Sequence, residues 1–422
     1  MKKLILYLII CLSTTSFTLD AWASVVEITG EAGSWQLEVD EDPFYIKGVG
    51  LGDYLTPENM DELFSLAKEV GANAIRRWGK SDYDDLMLDK AQEYNIKVVM
   101  GYWLPTDIDY LEDDYSKEAT LERIKDYVAA HKNHPALLAW NIGNEVIIYG
   151  KKEREEERVE FAKFLEEACQ LVKKLDPNHP IIYAGAGLTA LRYIKEYTPS
   201  LDIYGINFYG GMPVAQKEWE VIGANIPYIF TEYGPHGPWE VPLDNNDQPI
   251  EPSDQEKKIA YLRNWRNYVL KYKGYNLGGF AFHLTDTMIT ESSVTWWGLT
   301  HENLRKSSFW SVREAYTAKE VANRPPVILD FKLTKTKNLR PAEVIRILSR
   351  VSDIEGDILR QEYKIFDLKR DSFLKDDFEF EKDGLSVRCT VPPKEGIYRI
   401  YLFVKDGKGN ITSANKTISV AE

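Results

Sequence analysis

A chain of 422 residues exceeds one ordinary small domain and fits an α/β barrel of about 250 residues with one appended module. Its 44% hydrophobic and 28% charged residues supply a buried core and exclude extended disorder. A formal net charge of −14 disfavours nucleic acid and anionic lipid as partners and suits a neutral substrate such as an oligo- or polysaccharide.

At the N-terminus Met1-Lys2-Lys3 precedes an apolar run from Leu4 to Leu12, and polar residues lead on to Ala21-Trp22-Ala23, an A-x-A site ahead of Ser24. That order reads as a cleavable signal peptide over 1–23, so the mature protein is expected to be secreted or periplasmic. The run falls far short of the ~20 residues of a membrane span, and no later segment qualifies. Loss of the leader removes Lys2, Lys3 and Asp20, leaving the rest one unit more negative. Only Cys169 and Cys389 then remain; they fall in different expected domains, so no disulfide framework is expected.

Next, residues 35–39 and 44–46 flank an Asp/Glu/Pro turn, which predicts a hairpin capping a barrel floor. From Ser24 to about Ala322 short β-rich runs alternate with amphipathic helices, the pattern of parallel βαβ units. Eight strands are expected, at 46–51, 73–76, 97–103, 137–141, 180–184, 201–207, 227–232 and 278–283, mostly continuous apolar runs suited to burial on both faces. Thr56-Pro57 predicts the start of the first helix, which ends before Gly71. The loop 105–116, rich in Asp and Tyr, is expected to shape one wall of the cleft. After the fourth strand, Phe161, Leu165, Ala168, Val172 and Leu175 form one helical stripe that Asp176-Pro177 stops. At Pro325-Pro326 helical stripes give way to β-rich runs at 327–333, 344–351, 385–391 and 398–404. The division is therefore a (β/α)8 TIM barrel over 24–324 and a small all-β immunoglobulin- or fibronectin-like sandwich over 325–422. Aromatics on both faces of 398–404 suggest that one sheet packs on the barrel.

Barrel active sites lie at the C-terminal ends of the strands, so the residues ending each strand carry the functional information. The fourth strand leads into Asn144-Glu145 and the seventh into Glu232-Tyr233-Gly234; no solvated helix face accounts for either acid. Strands four and seven stand on opposite walls of an eight-stranded ring. Facing carboxylates about 5–5.5 Å apart suit glycoside cleavage with retention, one acid protonating the leaving oxygen and the other attacking the anomeric carbon. Mutual repulsion raises the pKa of one, which becomes the proton donor.

Asn144-Glu145 after a fourth strand and Glu232-Tyr233-Gly234 after a seventh resemble the catalytic barrel of glycoside hydrolase family 2, within the clan A retaining glycosidases. Matches in register support this: Gly71-Ala72-Asn73-Ala74-Ile75-Arg76, Asn133-His134-Pro135, and Asp202-Ile203-Tyr204-Gly205-Ile206-Asn207-Phe208-Tyr209. The resemblance implies Glu145 as acid/base, Glu232 as nucleophile, Asn144 on the sugar 2-OH, Arg76 beneath the nucleophile and Tyr209 donating to it. The chain departs from the family pattern at Phe282, where the clan usually carries a tryptophan flooring the sugar subsite, and Trp296-Trp297 could supply that platform instead. Nothing before residue 35 corresponds to the β-domains that usually precede this barrel in the family.

Tyr102, Trp103, Tyr233 and Trp239 sit near strand ends, where aromatic faces suit the C–H faces of sugar rings. His236 and His283 are candidates for substrate hydroxyls. No H-E-x-x-H, Walker A loop or dinucleotide fingerprint is present, and no cofactor or metal is expected. The leading expectation is hydrolysis of a β-glucan or related polysaccharide. Transglycosylation through the same intermediate and glycan binding without catalysis are the alternatives, and oligomeric state is left open.

Overall fold

The computed structural model describes residues 23–421 apart from 53–54, 148–154, 287–292, 322, 375–379 and 384–385. Apart from Ala23, the leader expected over 1–23 lies outside the described residues.

The chain opens with a three-stranded antiparallel sheet of β1 (Val26–Thr29), β2 (Gln36–Val39) and β3 (Asp42–Pro43), not the two-stranded hairpin expected. Phe44 lies outside the strands and Ile46 opens the barrel. The alternation of β2 turns Leu37 and Val39 inward, where with Val26 they pack on Ala74, Val99, Ile182, Ile229 and Phe280. This sheet plugs the barrel floor.

Eight parallel strands then close into a barrel: β4 (Ile46–Gly50), β5 (Ala74–Arg76), β6 (Lys97–Tyr102), β7 (Leu137–Asn144), β8 (Ile181–Ala186), β9 (Ile203–Asn207), β10 (Tyr228–Tyr233) and β11 (Asn276–Ala281). They are buried almost throughout, which explains their continuous apolar runs. The Phe280 ring fills the lower interior and accounts for Gly48 on the adjacent strand, where a Cβ would lie 2.1 Å from that ring.

The surrounding helices are α1 (Met60–Glu69), α2 (Asp84–Glu93), α3 (Asp114–His131), α4 (Glu155–Leu175), α5 (Leu191–Tyr197), α6 (Met212–Ile222), α7 (Asp254–Asn264) and α8 (Ser307–Thr317). The first begins later than Thr56-Pro57 suggests, because the Thr56 carbonyl accepts from Asn59 and Met60 in a preliminary turn. The α4 stripe buries Phe161, Leu165, Ala168 and Val172 as expected. Of the segment 105–116, Tyr110 packs edge-on against Phe164, Leu111 and Asp114 line a surface groove beside α4, and none belongs to the described lining of the cleft at the strand ends.

After a short hairpin of β12 (Thr300–His301) and β13 (Leu304–Arg305) come two four-stranded sheets. One has the order β14 (Val327–Leu333), β15 (Val344–Ser352), β19 (Ser386–Thr390), β18 (Phe380–Asp383); the other β17 (Ser372–Phe373), β16 (Arg360–Asp367), β20 (Gly396–Lys405), β21 (Ile411–Val420). Ile345, Ile347 and Cys389 of the first meet Ile365, Ile400 and Ile418 of the second in a shared core. Alternation along β20 puts Tyr401 and Phe403 on its opposite face, against Val294 and Leu304 of the barrel, which accounts for the aromatics on both faces. Cys169 and Cys389 are both buried and free.

Candidate active site

The two acids sit above matching irregularities. Asn141 and Asn144 of β7 pair with Ile182 and Ala184 of β8, so β7 holds one residue more between those points. Ile229 and Glu232 of β10 face Gly205 and Asn207 of β9 in the same relation. Each extra residue is a bulge, and it changes which face the next side chain meets. Asn141 and Asn144, three apart, both reach inward to Arg76 for that reason. Gly143 makes the bulge at φ 78°, and Glu145 itself stands in the left-handed region at φ 54°. Few non-glycine residues adopt that conformation, and here it belongs to a carboxylate that lines the cleft.

Arg76, fully buried at the end of β5, is the hub. Its Nη1 donates to Glu232 Oε1 at 2.9 Å and to the Thr231 carbonyl at 3.3 Å, Nη2 to Asn144 Oδ1 at 2.7 Å, and Nε to Asn141 Oδ1 at 3.1 Å. Trp78 Nε1 donates to the same Glu232 oxygen at 2.8 Å, and Tyr209 OH donates to Oε2 at 2.6 Å. Burial, followed by the Glu232 charge, lifts the Tyr209 phenol well above its ordinary range, so it stays a donor. Asn207 Nδ2 donates to Glu145 Oε1 at 2.7 Å and to Asn144 Oδ1 at 3.1 Å, with Thr231 Oγ1 orienting its other end. Burial, and then the Glu232 charge, push the Glu145 carboxyl up to about 7. A carboxyl held there is protonated in much of the population at neutral pH.

Above these groups opens a cleft of about 690 Å³ lined by both glutamates, Asn207, Phe208, Tyr209, Glu218, Trp239, Glu240, Phe282 and Trp297. Trp297 packs on Tyr209 with ring centroids 4.5 Å apart, and Trp239 stands 70% exposed at the rim, edge-on to Tyr209. Phe282 meets Trp78, Tyr209 and Trp297 edge-on and wedges between them.

The structure gathers Arg76, Asn144, Glu145, Tyr209 and Glu232 into one bonded group and leaves other sequence candidates elsewhere. Trp296 is wholly buried, its indole donating to the His236 carbonyl at 2.9 Å; it is a strut, not a sugar platform. His283 is buried beside Phe282, outside the cleft lining, and burial depresses its imidazole to about 4, keeping it neutral. Trp103 is half exposed beyond β6, near Gly79 and outside the described lining. His236 lies at the surface 3.7 Å from Glu240. Tyr102 and Tyr233 are core residues, the first packing on Tyr127 and the second bonded to Tyr316 OH at 2.9 Å. Sequence reasoning passed over Trp78 and Asn207. Asn207 ends β9, so the strand-end criterion applied to every strand would have found it; Trp78 lies two residues past β5.

The family profile described as "Glycosyl hydrolases family 2, TIM barrel domain" matches residues 36–277, more than half of the chain. The chain belongs to glycosyl hydrolase family 2. Similar proteins include a β-glucuronidase of Sus scrofa, 24% identical over 321 residues that cover 67% of this chain and 45% of the relative. The chain thus spans about half the length of the curated relatives it matches. Among solved structures, the family 2 β-galacturonidase of Eisenbergiella tayi superposes with a TM-score of 0.55 at 19% identity over 70% of this chain and 55% of that one. A putative β-galactosidase of Bacteroides fragilis superposes with a TM-score of 0.54 at 14% identity over 94% and 58%. These superpositions establish a shared fold. The eight-stranded parallel barrel is the family 2 barrel.

Proposed function

We propose that this family 2 chain is a retaining β-glycosidase with Glu232 as nucleophile and Glu145 as acid/base. The observation that carries the reading is the single buried network running from Glu232 through Arg76 and Asn144 to Asn207 and Glu145. Three donors orient the Glu232 carboxylate, while Glu145 retains a proton near neutrality. In the first step Glu232 forms a bond to the anomeric carbon as the glycosidic C–O bond breaks and Glu145 gives its proton to the leaving oxygen. Esterification removes the Glu232 charge, so Glu145 becomes more acidic and serves as base for the water that releases the sugar and regenerates both carboxyls. Asn144 and Asn207 stand where the sugar 2-OH is bound in this reading.

The substrate is read as a neutral β-linked glycan such as a β-glucan or related polysaccharide. Trp239 offers an exposed aromatic face with the buried Trp297 lining the wall beside it, and Glu218 and Glu240 add carboxylates to a described lining that includes no Lys or Arg. That balance favours a neutral sugar over the uronic acids in the names of the relatives. Secretion through the leader at 1–23 fits an acidic glycan-degrading enzyme. The C-terminal sheets over 325–422 are read as an immunoglobulin-like accessory sandwich.

The test is incubation with β-glucans, mannans, galactans and aryl β-glycosides, with the first-formed anomer identified; the β-anomer is expected, and the α-anomer overturns retention. Roles separate with azide on an activated aryl glycoside. Glu232→Ala is expected to yield the α-glycosyl azide by one direct displacement, and Glu145→Ala the β-glycosyl azide through the enzyme-bound sugar, with turnover lowered roughly 10²–10⁴-fold without azide.

A further inference from the structure

Two loops carry the aromatic walls of the cleft. Trp239 belongs to the segment between β10 and α7, and Trp297 to the segment after β11. Both segments reach the C-terminal sheets. In the first, the buried Asn246 Nδ2 donates to the carbonyls of Thr336 and Thr417, each at 3.1 Å, and Lys337 Nζ donates to the Asn245 carbonyl at 2.8 Å. In the second, the Val294 N–H donates to Tyr401 OH at 3.1 Å.

Glu251 joins the two loops and the sheets at one buried point. Its carboxylate accepts from Ser293 Oγ, Thr295 Oγ1, Lys257 Nζ and Asn415 Nδ2. Burial by itself would raise this carboxyl, but Lys257 and Lys306 outweigh it and hold it down at about 2. The same two ammonium groups donate to the Thr295 carbonyl at 2.8 and 2.6 Å. Trp296, next along, closes the circuit by donating to the His236 carbonyl in the other loop.

We infer that the C-terminal β domain is part of the active-site scaffold: it grips the loops after β10 and β11 and so sets the positions of Trp239 and Trp297. The inference rests on reading the cleft as a glycan site. Interdomain adhesion does not require bonds to these loops, because the domain has other holds on the barrel. Asp254 of α7 accepts from Thr412 Oγ1 and the Ser413 N–H, and Trp310 of α8 donates to Asn410. Polar bonds aimed at 293–296 and 245–246 fix the wall rather than the domain. Asn246 and Tyr401 are positioning residues, remote from the reacting atoms.

Tyr401→Phe keeps the ring stacked on Phe403 and deletes only the hydroxyl that Val294 uses; Asn246→Ala deletes the other grip. In the full chain, hydrogen–deuterium exchange of 236–248 and 293–301 is expected to quicken about tenfold in the double variant, with strands β4 to β9 unchanged. For an aryl β-glycoside that the parent turns over, KM is expected to rise about fivefold with kcat within about twofold. Unchanged exchange in both loops overturns the inference, as does faster exchange with unchanged KM. A parent chain inactive on every glycoside overturns the glycosidase reading instead, and exchange then decides the positioning on its own. Should the double variant fail to fold, Tyr401→Phe alone gives the same comparison for 293–301.

Discussion

The strand ends that carry Glu145 and Glu232 begin alike and finish differently. Both follow a bulge in an almost wholly buried parallel strand. Beyond it, Glu232 is clasped from both oxygens by Arg76, Trp78 and Tyr209, whereas Glu145, among the described residues, accepts from Asn207 and rests on left-handed backbone. The same local device thus serves opposite ends. Many donors fix a carboxylate in position, whereas burial beside a neighbouring carboxylate raises the Glu145 carboxyl.

Removing the clasp at its hub has the largest expected effect. Arg76→Met takes the counter-charge from the buried Glu232 carboxylate and the Arg76 donors from the Asn141 and Asn144 oxygens. A stability loss of about 3–5 kcal/mol is expected in urea titrations, as for other broken buried pairs, together with near-complete loss of turnover. Glu145→Gln probes the other end. Because the folded carboxyl stands near 7 against an ordinary 4.5, the folded state holds the extra proton between those values, and stability falls as pH rises through that window. The Gln variant escapes this cost, so at pH 8 it is expected to be more stable than the parent by roughly 3 kcal/mol and at pH 4 to match it. In the parent, kcat/KM is expected to decline above about pH 7 as the acid loses its proton; a profile flat from pH 6 to 9 would show that Glu145 is not the donor. Trp78→Phe is the mildest: it deletes one of three donors to Glu232, and kcat is expected to fall about tenfold, or about 1.4 kcal/mol, with KM little changed.

The barrel was legible because eight apolar runs alternating with helical stripes have few other solutions, and both acids stood out because strand ends are where barrels keep their chemistry. What stayed hidden depends on contacts far apart in sequence. Nothing local to Trp296 separates it from Trp297, yet one indole is a buried strut and the other a cleft wall, a difference set by His236 some sixty residues away. The bulges are silent too, since an extra residue shows itself only against its partner strand; Gly143 alone hints at one. The late start of α1 follows from Asn59 and Met60 both bonding Thr56, where the Thr-Pro pair by itself favours an earlier cap. His283 reads as a polar strand-end residue and proves buried, because loop 293–299 folds back and bonds its carbonyl through Leu299.

The floor sheet gives the molecule a direction. Ser24 Oγ donates to the carbonyl of Leu137, the first residue of β7, so the chain enters beneath the barrel while both glutamates stand at the far ends of the strands. The first described residues thus lie on the side of the barrel opposite the cleft.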